Sequence, residues 1–154
     1  METSLILIKP DGVQRRLAGR ILSRFEDKGL QVVGAKLLRI PLETAEQHYA
    51  AHRERPFYPG LVRYMTSSPV LALALRGRNA VAVVRKMLGA TFGSQAEPGT
   101  IRGDLAISDG FNLVHASDST AAAAKELGLF FPEGLVEFEM ADTRWVYDVP
   151  SDLG

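Results

Sequence analysis

The pattern of apolar and polar positions divides the 154-residue chain into short alternating elements. Residues 5–8 (LILI) form an unbroken apolar run of strand length, as a strand buried on both faces requires. Pro10, Asp11 and Gly12 close it with turn residues. Leu17, Ile21, Leu22 and Phe25 then recur at helical spacing, and Gly29 predicts the stop. A second strand is expected over 30–40, ended by Pro41, and a short helix over 42–51. Beyond the loop 55–60 the pattern predicts a brief helix over 61–65, a third strand over 70–75 and a helix over 79–88 capped by Asn79. Residues 93–110 read as one long irregular loop, a length often reserved for function in compact domains. It leads into NLVHASDS (112–119), where an apolar strand gives way to the helix-capping residues Ser117, Asp118 and Ser119. The helix that follows is expected to reach Leu127 with Gly128 as its cap. Residues 129–147 read as irregular and aromatic-rich, and 148–154 as a polar tail.

Two strand–helix–strand units emerge, the second ending at His115. They suit a single α/β (α+β) domain over 1–154: a ferredoxin-like split β-α-β fold, its four-stranded antiparallel sheet carrying helices on one face. A small parallel sheet fits the same alternation, and periodicity does not separate the two. Apolar residues make up 46% of the chain and charged residues 23%, an ordinary globular mix. Eighteen basic residues balance eighteen acidic ones, so no specific nucleic-acid binding and no membrane affinity is expected. The absence of cysteine excludes disulfides and thiolate chemistry. The first apolar run is too short for a signal segment or a membrane span, and a cytoplasmic location is expected.

His115 is the focus of the candidate chemistry. A neutral imidazole is nucleophilic near pH 7, and a helix start beside it would suit a phosphate; the bland alternative is a satisfied histidine at the core edge. Lys9, Arg85 and Arg102 stand at element ends or on the long loop, where they could converge on phosphate oxygens. No P-loop and no kinase glycine loop is present. His48 and His52 have a metal-binding spacing, but without a third ligand no metal site is expected. Phe57 and Tyr58, held between prolines, suit stacking or packing. Arg16, Arg20 and Arg24 line one helix face and read as solvated rather than as a nucleic-acid surface.

Five ordered motifs carry a resemblance: KPDGVQR from Lys9, RPFYPG from Arg55, KMLGAT from Lys86, PGTIRGD from Pro98 and NLVHASDS from Asn112. Together, from Leu5 to about Tyr147, the chain resembles the nucleoside diphosphate kinases. The resemblance implies a ferredoxin-like subunit assembling into hexamers or tetramers. It implies transfer of the γ-phosphate of ATP, GTP or another nucleoside triphosphate to a diphosphate through a phosphohistidine, with Mg²⁺ carried by the nucleotide. It makes His115 the nucleophile, Glu126 the acceptor for its other ring nitrogen, Ser117 the support of Glu126, and Tyr49 a flanking ring. Lys9, Arg85, Arg102 and Thr91 would meet the phosphates, Asn112 and Lys9 the ribose, and Phe57 the base. Ala116, Ala90, Gly93 and Asp109 depart from the family pattern. Ala116 replaces a glycine, so either its φ is negative or strain is accepted. Asp109 could accept hydrogen bonds from guanine. A catalytically silent nucleotide-binding or scaffold protein is the alternative, which an altered His115, Glu126 or Arg102 would have favoured.

Overall fold

The computed structural model describes residues 1–148; the polar tail, Asp148 apart, lies outside the described residues. Strands β1 (Glu2–Ile8), β2 (Gln31–Leu38), β3 (Val70–Gly77) and β4 (Val114–Ala116) form one sheet in the order β2-β3-β1-β4. Every neighbouring pair is antiparallel. Strands β1 and β2 therefore run parallel with β3 between them, as do β3 and β4 around β1. This is the split β-α-β topology, and it excludes the parallel sheet.

Strand β1 lies inside the sheet, and its side chains alternate between the two faces. Ile6 and Ile8 pack with Ile21 and Phe25 of α2 (Ala18–Asp27) and with Val84 and Leu88 of α5 (Ala80–Leu88). Leu5 and Leu7 pack with Ala45 of α3 (Leu42–His48), Val62 and Met65 of α4 (Tyr58–Thr66) and Phe130 of α7 (Thr120–Phe130). Helices thus cover both faces, where one was expected. The unbroken apolar run in β1 is the reason, because a strand apolar on both sides needs cover on both.

Local differences from the sequence reading have physical causes. Pro10, Asp11 and Gly12 open a short helix, α1 (Pro10–Gln14), in place of a bare turn; proline suits the first helical position, where its missing N–H is no loss. The long loop folds into a 3₁₀ turn, Gly93–Gln95, and a helix, α6 (Ile101–Leu105), whose cap Thr100 accepts from Gly103 N–H at 3.0 Å. Gly93 makes that packing feasible: a Cβ there would lie 2.4 Å from the Ala106 carbonyl oxygen. Asn79 precedes α5 with φ +52° and makes no side-chain cap bond. Helix α7 runs through Gly128, its last turn held by Phe130 in the core. One further helical turn, α8 (Thr143–Val146), lies in the segment read as irregular. Among the described residues no helix is long and apolar enough to cross a membrane.

Candidate active site

His115 is the middle residue of β4, paired with Leu7 of the adjacent strand. Helix α7 folds back against β1, which brings Glu126 to the imidazole: Nε2 lies 2.8 Å from Oε2. An Nε2–H donating to the carboxylate leaves the lone pair on Nδ1. Burial alone would raise the Glu126 pKa. The hydrogen bond and charge of His115 outweigh it, with smaller contributions from His48 and Ser117, and hold the carboxyl below its usual range. Glu126 stands six positions into α7, so His115 meets the helix about 9 Å from its first residue. Asp118 and Ala122, at the start of the same helix, line a cavity with them. Ser119 caps that helix start, accepting from Ala122 N–H at 3.0 Å.

A second polar cluster surrounds Asn112. Its Oδ1 accepts from Lys9 Nζ at 2.8 Å and its Nδ2 donates to the Thr91 carbonyl at 2.8 Å. Arg102, buried on α6, donates from Nε to the Asn112 carbonyl, from Nη1 to Gly89 and from Nη2 to Val114. Burial, then the charge of nearby Arg85, lowers the Arg102 guanidinium to about 10. Burial, then the charge of Arg102, pushes the Lys9 ammonium down to about 8. Lys9, Thr91, Arg102 and Asn112 therefore form one connected group with exposed Arg85 beside it.

Other site residues surround this pair. Ser117 is fully buried, and its hydroxyl accepts from Leu5 N–H at 3.1 Å. It also acts on the Glu126 carboxyl as a hydrogen-bond partner, the smallest of the influences on that group. Tyr49 is buried, lines the cavity of about 280 Å³ that His115 and Glu126 share, and has its hydroxyl pKa raised by burial and by Glu126. The ring that meets His115 edge-on is His48, with centroids 4.8 Å apart. Spacing had tied His48 to His52, whose ring instead faces exposed Phe57 at 5.4 Å. Both His48 nitrogens are buried without a hydrogen-bond partner, and burial, then the charge of His115, lowers its pKa to about 4. The sequence marked His48 for its spacing to His52, and only the docking of α3 against α7 places it beside His115.

The departures resolve as well. Ala116 is an ordinary strand residue paired with Ile6, and the positive φ belongs to Leu113. Asp109 accepts from Ser94 Oγ at 2.5 Å and so pins the 3₁₀ turn. The Ala90 side chain is exposed, and its carbonyl accepts weakly from Arg102 at 3.4 Å.

An imidazole with one nitrogen oriented and the other uncommitted, beside a group of cations on an antiparallel α+β sheet, is equipment for phosphate chemistry. These features define a class, the phosphotransferases. Comparison with known proteins agrees and narrows it. The family model described as nucleoside diphosphate kinase matches residues 2–136. The chain is 49% identical over 149 residues to the nucleoside diphosphate kinase of Methanothermobacter thermautotrophicus, covering 96% of this chain and 99% of that one. It is 51% identical over 150 residues to that of Thermosynechococcus vestitus, covering 97% and 100%. The structure of a halophilic nucleoside diphosphate kinase from Halobacterium salinarum in complex with CDP superposes with a TM-score of 0.93 at 45% identity, covering 96% of this chain and 99% of that one. The chain belongs to the nucleoside diphosphate kinase family, phosphotransferases acting between nucleoside tri- and diphosphates.

Proposed function

We propose that phosphotransfer passes through His115. The observation that carries this is the 2.8 Å bond from His115 Nε2 to Glu126, which leaves Nδ1 with its lone pair. Nδ1 attacks the γ-phosphorus of a nucleoside triphosphate in line. The N–P bond forms as the bond to the bridging oxygen breaks, and the diphosphate leaves with that electron pair. Lys9, Arg85 and Arg102 supply charge for the equatorial oxygens, and Glu126 supports the charge that develops on the ring. A second diphosphate enters the vacated site, and its terminal oxygen takes the phosphoryl group by the reverse step. One set of contacts serves both halves, which is ping-pong kinetics. Asn112 and Lys9 suit the ribose, Thr91 the phosphates, and exposed Phe57 a base face.

Mg²⁺ fits this reading as a partner of the nucleotide. Among the described residues one group of three His, Asp or Glu donors lies close enough together to hold an ion, His48, His115 and Glu126, and two of these are bonded to each other. The phosphate group of residues is cationic, so the ion would be held by phosphate oxygens and would neutralise their charge. The exposed edge of β2, with Leu37 65% exposed, and Ile107, 91% exposed, support assembly into a homo-oligomer, hexamer or tetramer, which light scattering distinguishes. A cytoplasmic site of action matches where such substrates are found.

The test is incubation with [γ-³²P]ATP. Label that is acid-labile, alkali-stable and lost in His115→Ala supports a phosphohistidine here; acid-stable label, or label that survives the substitution, overturns it.

A further inference from the structure

Leu113 is a fully buried leucine with φ +72°, and across it Val114 N–H donates to the Asn112 carbonyl at 2.8 Å. A three-residue turn of this hand is rare and strained, and a left-handed φ is unfavourable for leucine. The turn separates Asn112, one residue before it, from His115, two residues after. Strain of this kind persists only where the surroundings over-determine it.

The surroundings here are Asp11 and its neighbours. Leu113 N–H donates to Asp11 Oδ2 at 3.1 Å, and the Leu113 carbonyl accepts from Lys9 N–H at 2.8 Å. The Tyr64 hydroxyl donates to Asp11 Oδ1, and Asp11 N–H reaches back to that hydroxyl at 3.4 Å. Burial, then this bond, raises the Tyr64 pKa well above the usual phenol range, so it stays a donor. The Tyr64 ring also meets Phe111 at 5.2 Å, gripping the chain just before Asn112. Gly12 lets α1 approach: a Cβ there would stand 3.2 Å from the Leu113 carbonyl oxygen.

We propose that Asp11, steadied by Tyr64, is a positioning residue for phosphotransfer: its carboxylate holds the turn at Leu113 and so sets where Asn112 and His115 stand. Strand pairing between β4 and β1 begins only at Val114, so no ladder partner takes the Leu113 N–H. A carboxylate takes it with a charge-assisted bond. Asp11 acts through Leu113 and not on the substrate. The inference rests on the His115 mechanism above.

The experiment measures phosphoenzyme formation from labelled MgATP in single turnovers, with nucleotide affinity measured separately, for the parent, Asp11→Ala, Asp11→Asn, Tyr64→Phe and the double variant Asp11→Ala/Tyr64→Phe. Asp11→Ala is expected to slow the step at saturating ATP by ~10- to 100-fold, as a misplaced reacting group does, while affinity stays within about threefold of the parent's. Asp11→Asn, whose amide oxygen still accepts from Leu113 N–H, should recover most of the rate. Tyr64→Phe should cost at least ~threefold alone and nothing further on Asp11→Ala, because it acts through the same carboxylate. Should Asp11→Ala not fold, Tyr64→Phe decides the matter. Parental rates in folded variants, with only the melting temperature lowered, would overturn the proposal while leaving a labelled His115 intact. A parent without label on His115 overturns the mechanism and the proposal together.

Discussion

Arg102 donates from Nη2 to the Val114 carbonyl at 2.6 Å, one residue before His115. The same guanidinium binds the Asn112 and Gly89 carbonyls at 3.2 Å each. It therefore ties the end of α5 to both sides of the strained turn. A planar fork with five donors can do this in several directions at once, and a lysine cannot. From the motif alone Arg102 reads as a phosphate contact removable without harm to the fold; the structure makes it a strut as well.

Arg102→Ala should therefore lower stability by about 3 kcal/mol, since buried carbonyls lose their donors, and Tm by roughly 10 °C. It should also slow phosphotransfer by at least ~10²-fold. Arg85→Ala, at an exposed position, should show a comparable kinetic loss with an unchanged Tm. Calorimetry beside single-turnover kinetics separates the two; equal Tm values for both variants would refute the strut.

Lys9 makes the free enzyme sensitive to alkali. Its pKa is pushed down to about 8, so its charge is present below that pH and lost as pH rises through it. The profile of kcat/KM, which reports the free enzyme, should fall above about pH 8. At saturation kcat should hold to higher pH, because bound phosphate favours the charged amine. In Lys9→Arg the fall should move well upward, and a profile unmoved by that substitution would assign it to another group.

Glu126→Gln should slow phosphorylation of His115 by ~10- to 100-fold without abolishing it. The amide keeps the size and can still accept from Nε2–H, but it lacks the charge that supports a developing imidazolium. Quenched-flow labelling is the measurement. A parental rate would remove Glu126 from the mechanism.

Base preference should be slight. Phe57, 54% exposed, offers a face on which any base can stack. Asp109, the carboxylate expected to favour guanine, is engaged with Ser94. The kcat/KM values for ADP, GDP, CDP and UDP should lie within about tenfold, a difference of ~1.4 kcal/mol. Phe57→Ala should weaken all four; a spread beyond about a hundredfold would reveal a base reader elsewhere.

The sequence by itself determined the four strands and the longer helices. The apolar run 5–8, the helical spacing from Leu17 to Phe25 and the capping residues before α7 are local signals, and each produced its element. The motifs contain His115, Lys9 and Arg102, whereas Glu126 and Arg85 lie outside them and entered only through the resemblance. Tertiary structure decided what depends on elements distant in sequence. It placed helices on both faces of the sheet, since cover for Leu5 and Leu7 comes from α3, α4 and α7. It set His48 against His115 and added the Leu5 backbone to the partners of Ser117. It decided between the two alternatives for Ala116 and put a positive φ at Leu113, because strand pairing with Ile6 holds Ala116 extended while Asp11, 102 residues away, stabilises the turn. Periodicity reports which face of an element is apolar, and only packing decides which face it meets.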